Sequence, residues 1–211
     1  MYTWRGPRRK LSAEETARNA QHRAERTAAA MHCQCCGRLI LANTGTIAHH
    51  GYSRPGSGWQ TASCMGAKYL PFETSRDQLG VMIKVIEQMI ADHEDHIHRI
   101  STEISPVRFT WTVNKIDETG RCLKDRRGRR LTETRHFDIT RDIFGSDQLP
   151  EDVIQAIRAA YLRTYDDIME RDLRPVRYRL KSLQGDLKEQ QARFDGWKQT
   201  HEWWNKEWRI L

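Results

Sequence analysis

Cys33-Gln34-Cys35-Cys36-Gly37, followed by the pair His49-His50 and then Cys64, constrains this chain more than any other stretch. Four of the five cysteines fall between residues 33 and 64, with two adjacent histidines among them. Cysteines clustered in this way in a chain that reads as cytoplasmic are more often metal ligands than disulfide partners. Gly45, Gly51, Gly56 and Gly58, with the turn Arg54-Pro55-Gly56, break up any helix across residues 32–74. A segment so poor in apolar side chains needs a divalent ion to hold it together.

Zinc takes tetrahedral sulfur and nitrogen donors, commonly a C-x2-C turn plus a distant pair. Cys33 and Cys36 have that spacing, and Gly37 follows where a knuckle turns most easily without a Cβ. Cys64 and one of His49 and His50 complete a structural Cys3His set, and the spacing does not choose between the histidines. Cys35 is the odd thiol; it could replace Cys36, although a C-x-C spacing strains the knuckle. Buried free thiols and a redox role are the alternatives to metal. A histidine pair beside a cysteine knuckle also occurs in HNH-type nucleases, where His49 would be the base. That arrangement further needs a downstream Asn and a helical His, and residues 59–77 supply neither.

The other 80% or so of the chain reads as helix around a small mixed domain. Apolar residues make up 38% and charged residues 30%, a balance that suits long half-exposed helices. Residues 1–31 form a basic arm and an Ala-rich helix, which Ser12 and Glu15 start as a capping box. That helix either packs thinly through Ala17, Ala20, Ala24 and Ala28 or docks on a partner. Residues 32–74 are the zinc-binding module, with short strands expected at 39–41 and 46–48.

Ile83, Ile86, Ile90, His93, Ile97, Ile100 and Ile104 recur in steps of three and four, so residues 75–105 read as a first coiled-coil arm. Leu173, Val176, Leu180, Leu183, Leu187, Gln190, Phe194, Trp197, His201, Trp204, Trp208 and Leu211 continue the same rhythm, so residues 173–211 read as a second. The expected fold is mainly α: a zinc module and an antiparallel coiled-coil helical hairpin about 40 Å long. A small α+β insertion, residues 106–172, would form its head. Pro175 should interrupt or kink the path into the last helix, and His93 should face His201 or Gln190. The arms could equally pair with those of a second copy, as a homodimer.

The net charge of +7 is unevenly spread, with +4 on residues 1–30, +5 on 106–136, −3 on 76–105 and −4 on 137–175. Arg5, Arg8 and Arg9 on the arm, Arg54 in the glycine-rich loop, and Arg126, Arg127, Arg129 and Arg130 in a basic turn are the candidate contacts to a polyanion. Tyr52, Arg54 and Trp59 either stack on a ligand or plug the module's core. No apolar run approaches the ~20 residues that span a bilayer, and the start MYTWRGPRRK has no hydrophobic leader core. A cytoplasmic location and no membrane partner follow as expectations.

The run CQCCGRLILANTGTIAHHGYSRPGSGWQTASCMGAKYLPFE resembles a cysteine–histidine module in proteins of phages and other bacterial mobile elements. The resemblance covers roughly residues 30–75 and implies a zinc site at the matching positions and a mobile-element source, with no substrate. The expected function is non-enzymatic binding of nucleic acid or a nucleoprotein. Inhibition of a host defence protein complex and an HNH-like nuclease are the other two readings.

Overall fold

The computed structural model describes residues 11–51 and 63–211; Arg5, Arg8, Arg9, Tyr52, Arg54 and Trp59 lie outside them. In chain order the elements are α1 (Ala13–Ala28), β1 (Ala30–His32), β2 (Leu39–Leu41), α2 (Asp77–Ser101), β3 (Val107–Asn114), β4 (Thr132–Ile139), α3 (Glu151–Ala159), α4 (Tyr165–Asp195), β5 (His201–Trp204) and β6 (Glu207–Ile210). The strands pair as three separate antiparallel hairpins, β1–β2, β3–β4 and β5–β6. The chain divides into two compact units: residues up to Glu87 with Gly185–Leu211, and Gln88–Gln184.

In the first unit, Ser12 and Glu15 cap α1 reciprocally, Oγ to the Glu15 N–H at 3.1 Å and Oε2 to the Ser12 N–H at 2.8 Å. Ala17, Ala20, Ala24 and Ala28 are all exposed, so the thin packing expected of this helix is not made. Methyl groups alone give too little contact to seat a helix on a core. β1 leads directly into the cysteine knuckle and β2 leaves it, with Met31 opposite Ile40. Residues 46–48 form no strand, although Ile47 is fully buried and bonds through both backbone groups to Tyr69 and Lys68.

Helix α2 starts on a side chain from the knuckle. The Gln34 Oε1 accepts the N–H groups of Gln78 (2.8 Å) and Leu79 (3.3 Å), while its Nε2 donates to the Leu70 carbonyl at 2.7 Å. Gln34 is buried, and both ends of its amide are satisfied. Leu79, Met82, Ile83 and Ile86 then line the core side of α2. At the far end of α4, Arg76 donates to the Phe194 carbonyl (2.6 Å), satisfying one of the last carbonyls of that helix. Its guanidinium lies 4.1 Å from the Phe194 ring centroid.

The helix of the second arm ends at Asp195, so the expected arm over 173–211 is corrected: residues 201–210 are a β-hairpin. Asn205 (φ 47) and Lys206 (φ 65) form a two-residue turn with both residues left-handed, the geometry whose twist matches paired strands. Trp203 stands opposite Trp208, their ring centroids 4.7 Å apart. The hairpin docks on the cysteine module. Trp208 Nε1–H donates to the Ala42 carbonyl (2.8 Å), and Trp197 Nε1–H to the Phe72 carbonyl (2.5 Å). The tryptophans that imitated a heptad seam are cross-strand and docking residues.

The second unit is built on β3 and β4, eight paired residues each. Val107 and Phe109 alternate with exposed neighbours and pack with Ile139, Val153, Ile157 and Ile168 in one core. The path changes direction at Tyr161 (φ 58), and α4 continues through Pro175, so of the expected interruption or kink there the interruption is corrected. Thr164 and Asp167 restart the helix as a capping pair, Oγ1 to the Asp167 N–H (3.1 Å) and Oδ2 to the Thr164 N–H (2.8 Å).

Each unit contains one half of α2 and one half of α4. In the first, a Cβ on Gly80 would meet the Phe194 ring at 3.1 Å. In the second, His93 is held below the ordinary histidine range by burial and then by the Arg179 charge. His93 therefore lies close enough to Arg179 to feel its charge. In the second unit His93 lies near Arg179 and His96 near Asp172, so residue numbers on α2 and α4 run in opposite directions there.

Candidate metal centre and basic hairpin

One ligand atom each from Cys33, Cys36, His50 and Cys64 lies within 4.8 Å of every other. Cys33 Sγ and Cys64 Sγ are 3.8 Å apart, and Cys36 Sγ is 3.3 Å from His50 Nε2. This group could hold a metal ion. The knuckle is shaped by backbone bonds: the Gly37 N–H donates to the Cys33 carbonyl and the Cys33 N–H to the Arg38 carbonyl, both 2.9 Å. Gly37 sits at φ 66, where a side chain would be strained.

His50 is aimed by its own neighbours. Its Nδ1–H donates to the Ala48 carbonyl at 2.8 Å, which leaves Nε2 unprotonated toward the sulfurs. The Cys64 N–H donates to the His50 carbonyl at 2.7 Å and brings the third sulfur in. His49 is exposed and stands outside the group, which corrects its place among the candidate ligands. Cys35 is also outside it; it is buried, with Sγ 3.7 Å from the Gln78 carbonyl.

The thiols titrate as a set. Cys36 is pulled far below the usual thiol range by hydrogen bonds from Cys33 and Cys64, with Arg38 adding a third, its Nε 3.5 Å from the sulfur. Cys33 is pushed far up, first by its bond to Cys36, then by Cys64 and burial. Cys64 is also raised: its bond with Cys33 lowers it, but contacts with Cys35 and Cys36 and burial outweigh that. One thiolate forms readily and the others resist. A cation held by these residues would reverse that resistance by taking the place of the shared protons.

Gly66 completes the site. A Cβ there would lie 2.5 Å from Cys33 Sγ and 3.3 Å from Cys35 Sγ, so no other residue fits. Gly66 and Gln34 escaped sequence reading. The glycine two places after Cys64 was a usable signal, as an echo of the one after Cys36; nothing marked Gln34.

The second candidate feature is the tip beyond β3 and β4. Arg126, Arg127, Arg129 and Arg130 all fall on it and are exposed. Arg129 Nε donates to Asp125 Oδ2 at 2.8 Å. Arg121, Arg126, Arg127 and Arg130 make no ion pair among the described residues. Asp117 and Asp125 point their carboxylates into their own turns. Both are held below the ordinary carboxylate range, Asp117 first by the Thr119 hydroxyl and Asp125 first by the Arg129 N–H.

Among the described residues, no helix is long and apolar enough to cross a membrane. No family model, curated protein or solved structure matches the chain.

Proposed function

We propose that the protein is a zinc-stabilised, non-enzymatic binding protein that contacts nucleic acid or a nucleoprotein through its basic hairpin. The donor set supports zinc. A tetrahedron with bonds of about 2.3 Å to sulfur and about 2.0 Å to nitrogen has S···S edges near 3.8 Å and S···N edges near 3.5 Å. The Cys33–Cys64 and Cys36–His50 separations of 3.8 Å and 3.3 Å lie close to these edges, and the other four lie within 4.8 Å. Four protein donors close the coordination sphere, which is the pattern of a structural site and leaves no position for a reacting water. Soft thiolates with one imidazole favour zinc over harder divalent ions. The cluster's residues, Cys33, Cys36, His50 and Cys64, would hold the ion, and its role is to pin β1, β2 and the following loop.

The observation that carries the binding reading is the group of unpaired guanidiniums on the hairpin tip. Arginine presents a planar fork of donors to phosphate, and charges without internal partners need little rearrangement to engage it. Metal analysis of the purified chain should give one zinc per molecule. Material recovered from a cell lysate should carry nucleic acid that nuclease treatment removes. A protein partner that survives nuclease in fixed ratio would favour the inhibitor reading.

A supercoiled pairing of α2 with α4 belongs to the same proposal, supported by the reversed order of their contacts. Lysine-specific crosslinking should then join Lys84 to Lys188; a Lys84 crosslink only to another chain would refute it.

A further inference from the structure

The inference rests on the nucleic-acid reading and names the form of nucleic acid. The hairpin tip contains one eight-residue unit twice: Ile116-Asp117-Glu118-Thr119-Gly120-Arg121-Cys122-Leu123, then Lys124-Asp125-Arg126-Arg127-Gly128-Arg129-Arg130-Leu131. Asp, Gly, Arg and Leu coincide in sequence, and the structure repeats with them. Asp117 Oδ1 accepts the N–H groups of Thr119 and Arg121, both at 2.9 Å. Asp125 Oδ1 accepts those of Arg127 (2.8 Å) and Arg129 (2.9 Å). Gly120 and Gly128 take the same left-handed turn, φ 79 and φ 77. Each loop closes through one bridge, Ile116 to Cys122 and Lys124 to Arg130.

The two loops and the ribbon are joined by a ring of three backbone bonds, each 2.8 Å. The Lys115 N–H donates to Leu131, Leu131 to Leu123, and Leu123 back to Lys115. The arginines therefore stand on two preformed lobes, with little backbone entropy left to lose on contact. Residues 115–131 carry seven basic and three acidic side chains, net +4, and two of the acids are spent inside their turns.

No aromatic residue occurs between 115 and 131. Binding of unpaired strands draws on aromatic faces for base stacking, and the tip has none to offer. A two-stranded ribbon fits the major groove of B-form DNA, about 12 Å wide, whereas the deep, narrow major groove of A-form RNA excludes it. We propose that the doubled loop is a docking device for duplex DNA, gripping phosphates of the backbone without reading sequence.

Fluorescence anisotropy with a short mixed-sequence DNA duplex, its separated strand and the matching RNA duplex tests this on the full zinc-loaded chain. Four unpaired guanidiniums give a log–log salt slope of about −3.6, a fall of about 150-fold in affinity between 50 and 200 mM salt. Replacing Arg126, Arg127 and Arg130 together with Ala should weaken duplex binding at low salt and reduce that fall to about fourfold. Zinc content and melting temperature should stay unchanged, because these side chains are exposed and make no ion pair among the described residues. Tighter binding to the single strand or RNA duplex, or an unaltered salt slope in the triple variant, overturns the proposal while leaving nucleic-acid binding standing. Absence of binding to all three probes overturns both.

Discussion

At the scale of single residues, the candidate metal centre depends on groups outside its donor set. Gly66 has no room for a methyl group beside Cys33 Sγ, so Gly66→Ala should lower zinc content and melting temperature together. His50→Ala should release the metal, and His49→Ala should leave one zinc per chain. Metal analysis of the two variants checks which histidine serves. Asp172 tells a different story. Its carboxyl is raised above the ordinary range by burial, against the opposing pull of His96 and Arg108. A carboxyl raised in the folded state favours folding below its unfolded pKa, and that contribution is lost as pH rises through the folded value. At neutral pH the charged form is a burden. Asp172→Asn should therefore raise the melting temperature at pH 7, with the gain shrinking in acid; thermal melts across pH decide it.

At the scale of elements, local chemistry predicted beginnings better than ends. The capping box at Ser12 and Glu15 formed as its spacing implied, and Phe109, Trp111 and Val113 alternate as a strand should. Trp197, His201, Trp204 and Trp208 misled because steps of three and four can also occur by chance in residues spaced along a hairpin and the segment leading into it. The contrary signal was present: Gly196 after the helix, and Asn205-Lys206 between the pair Trp203-Trp204 and Trp208. Thr164 and Asp167 likewise marked the restart of α4 more truthfully than Pro175 marked a break. Of the Cys3His set, the three sulfurs were legible from spacing. The histidine was not, because Nδ1 pairing to Ala48 is a matter of local backbone path. The eight-residue repeat was written in plain sequence, yet its meaning needed the ring of bonds that joins the two loops. Trp208→Ala should cost about 2–3 kcal/mol, losing a half-buried ring and leaving the buried Ala42 carbonyl unpaired. Denaturant unfolding measures that loss.

At the scale of the molecule, the two units have different foundations. The first gathers all four candidate ligands, while the second has an apolar core of its own around Phe109, Ile139 and Leu173. Chelation should therefore split thermal unfolding into two steps. The lower should belong to the first unit and return to its original position when zinc is restored. Hydrogen exchange should show amides of residues 30–48 losing protection on chelation while those of β3 and β4 keep theirs.

The bond between Trp208 and the Ala42 carbonyl spans 166 residues. During synthesis, the cysteine module emerges from the ribosome long before the hairpin that covers it. Its thiols and the uncovered apolar surface must wait in the nascent chain for most of the remaining translation, open to chaperones and to oxidation. Early metal capture would shield the sulfurs in that interval, so zinc starvation during expression should harm this protein more than stripping the ion from the finished fold.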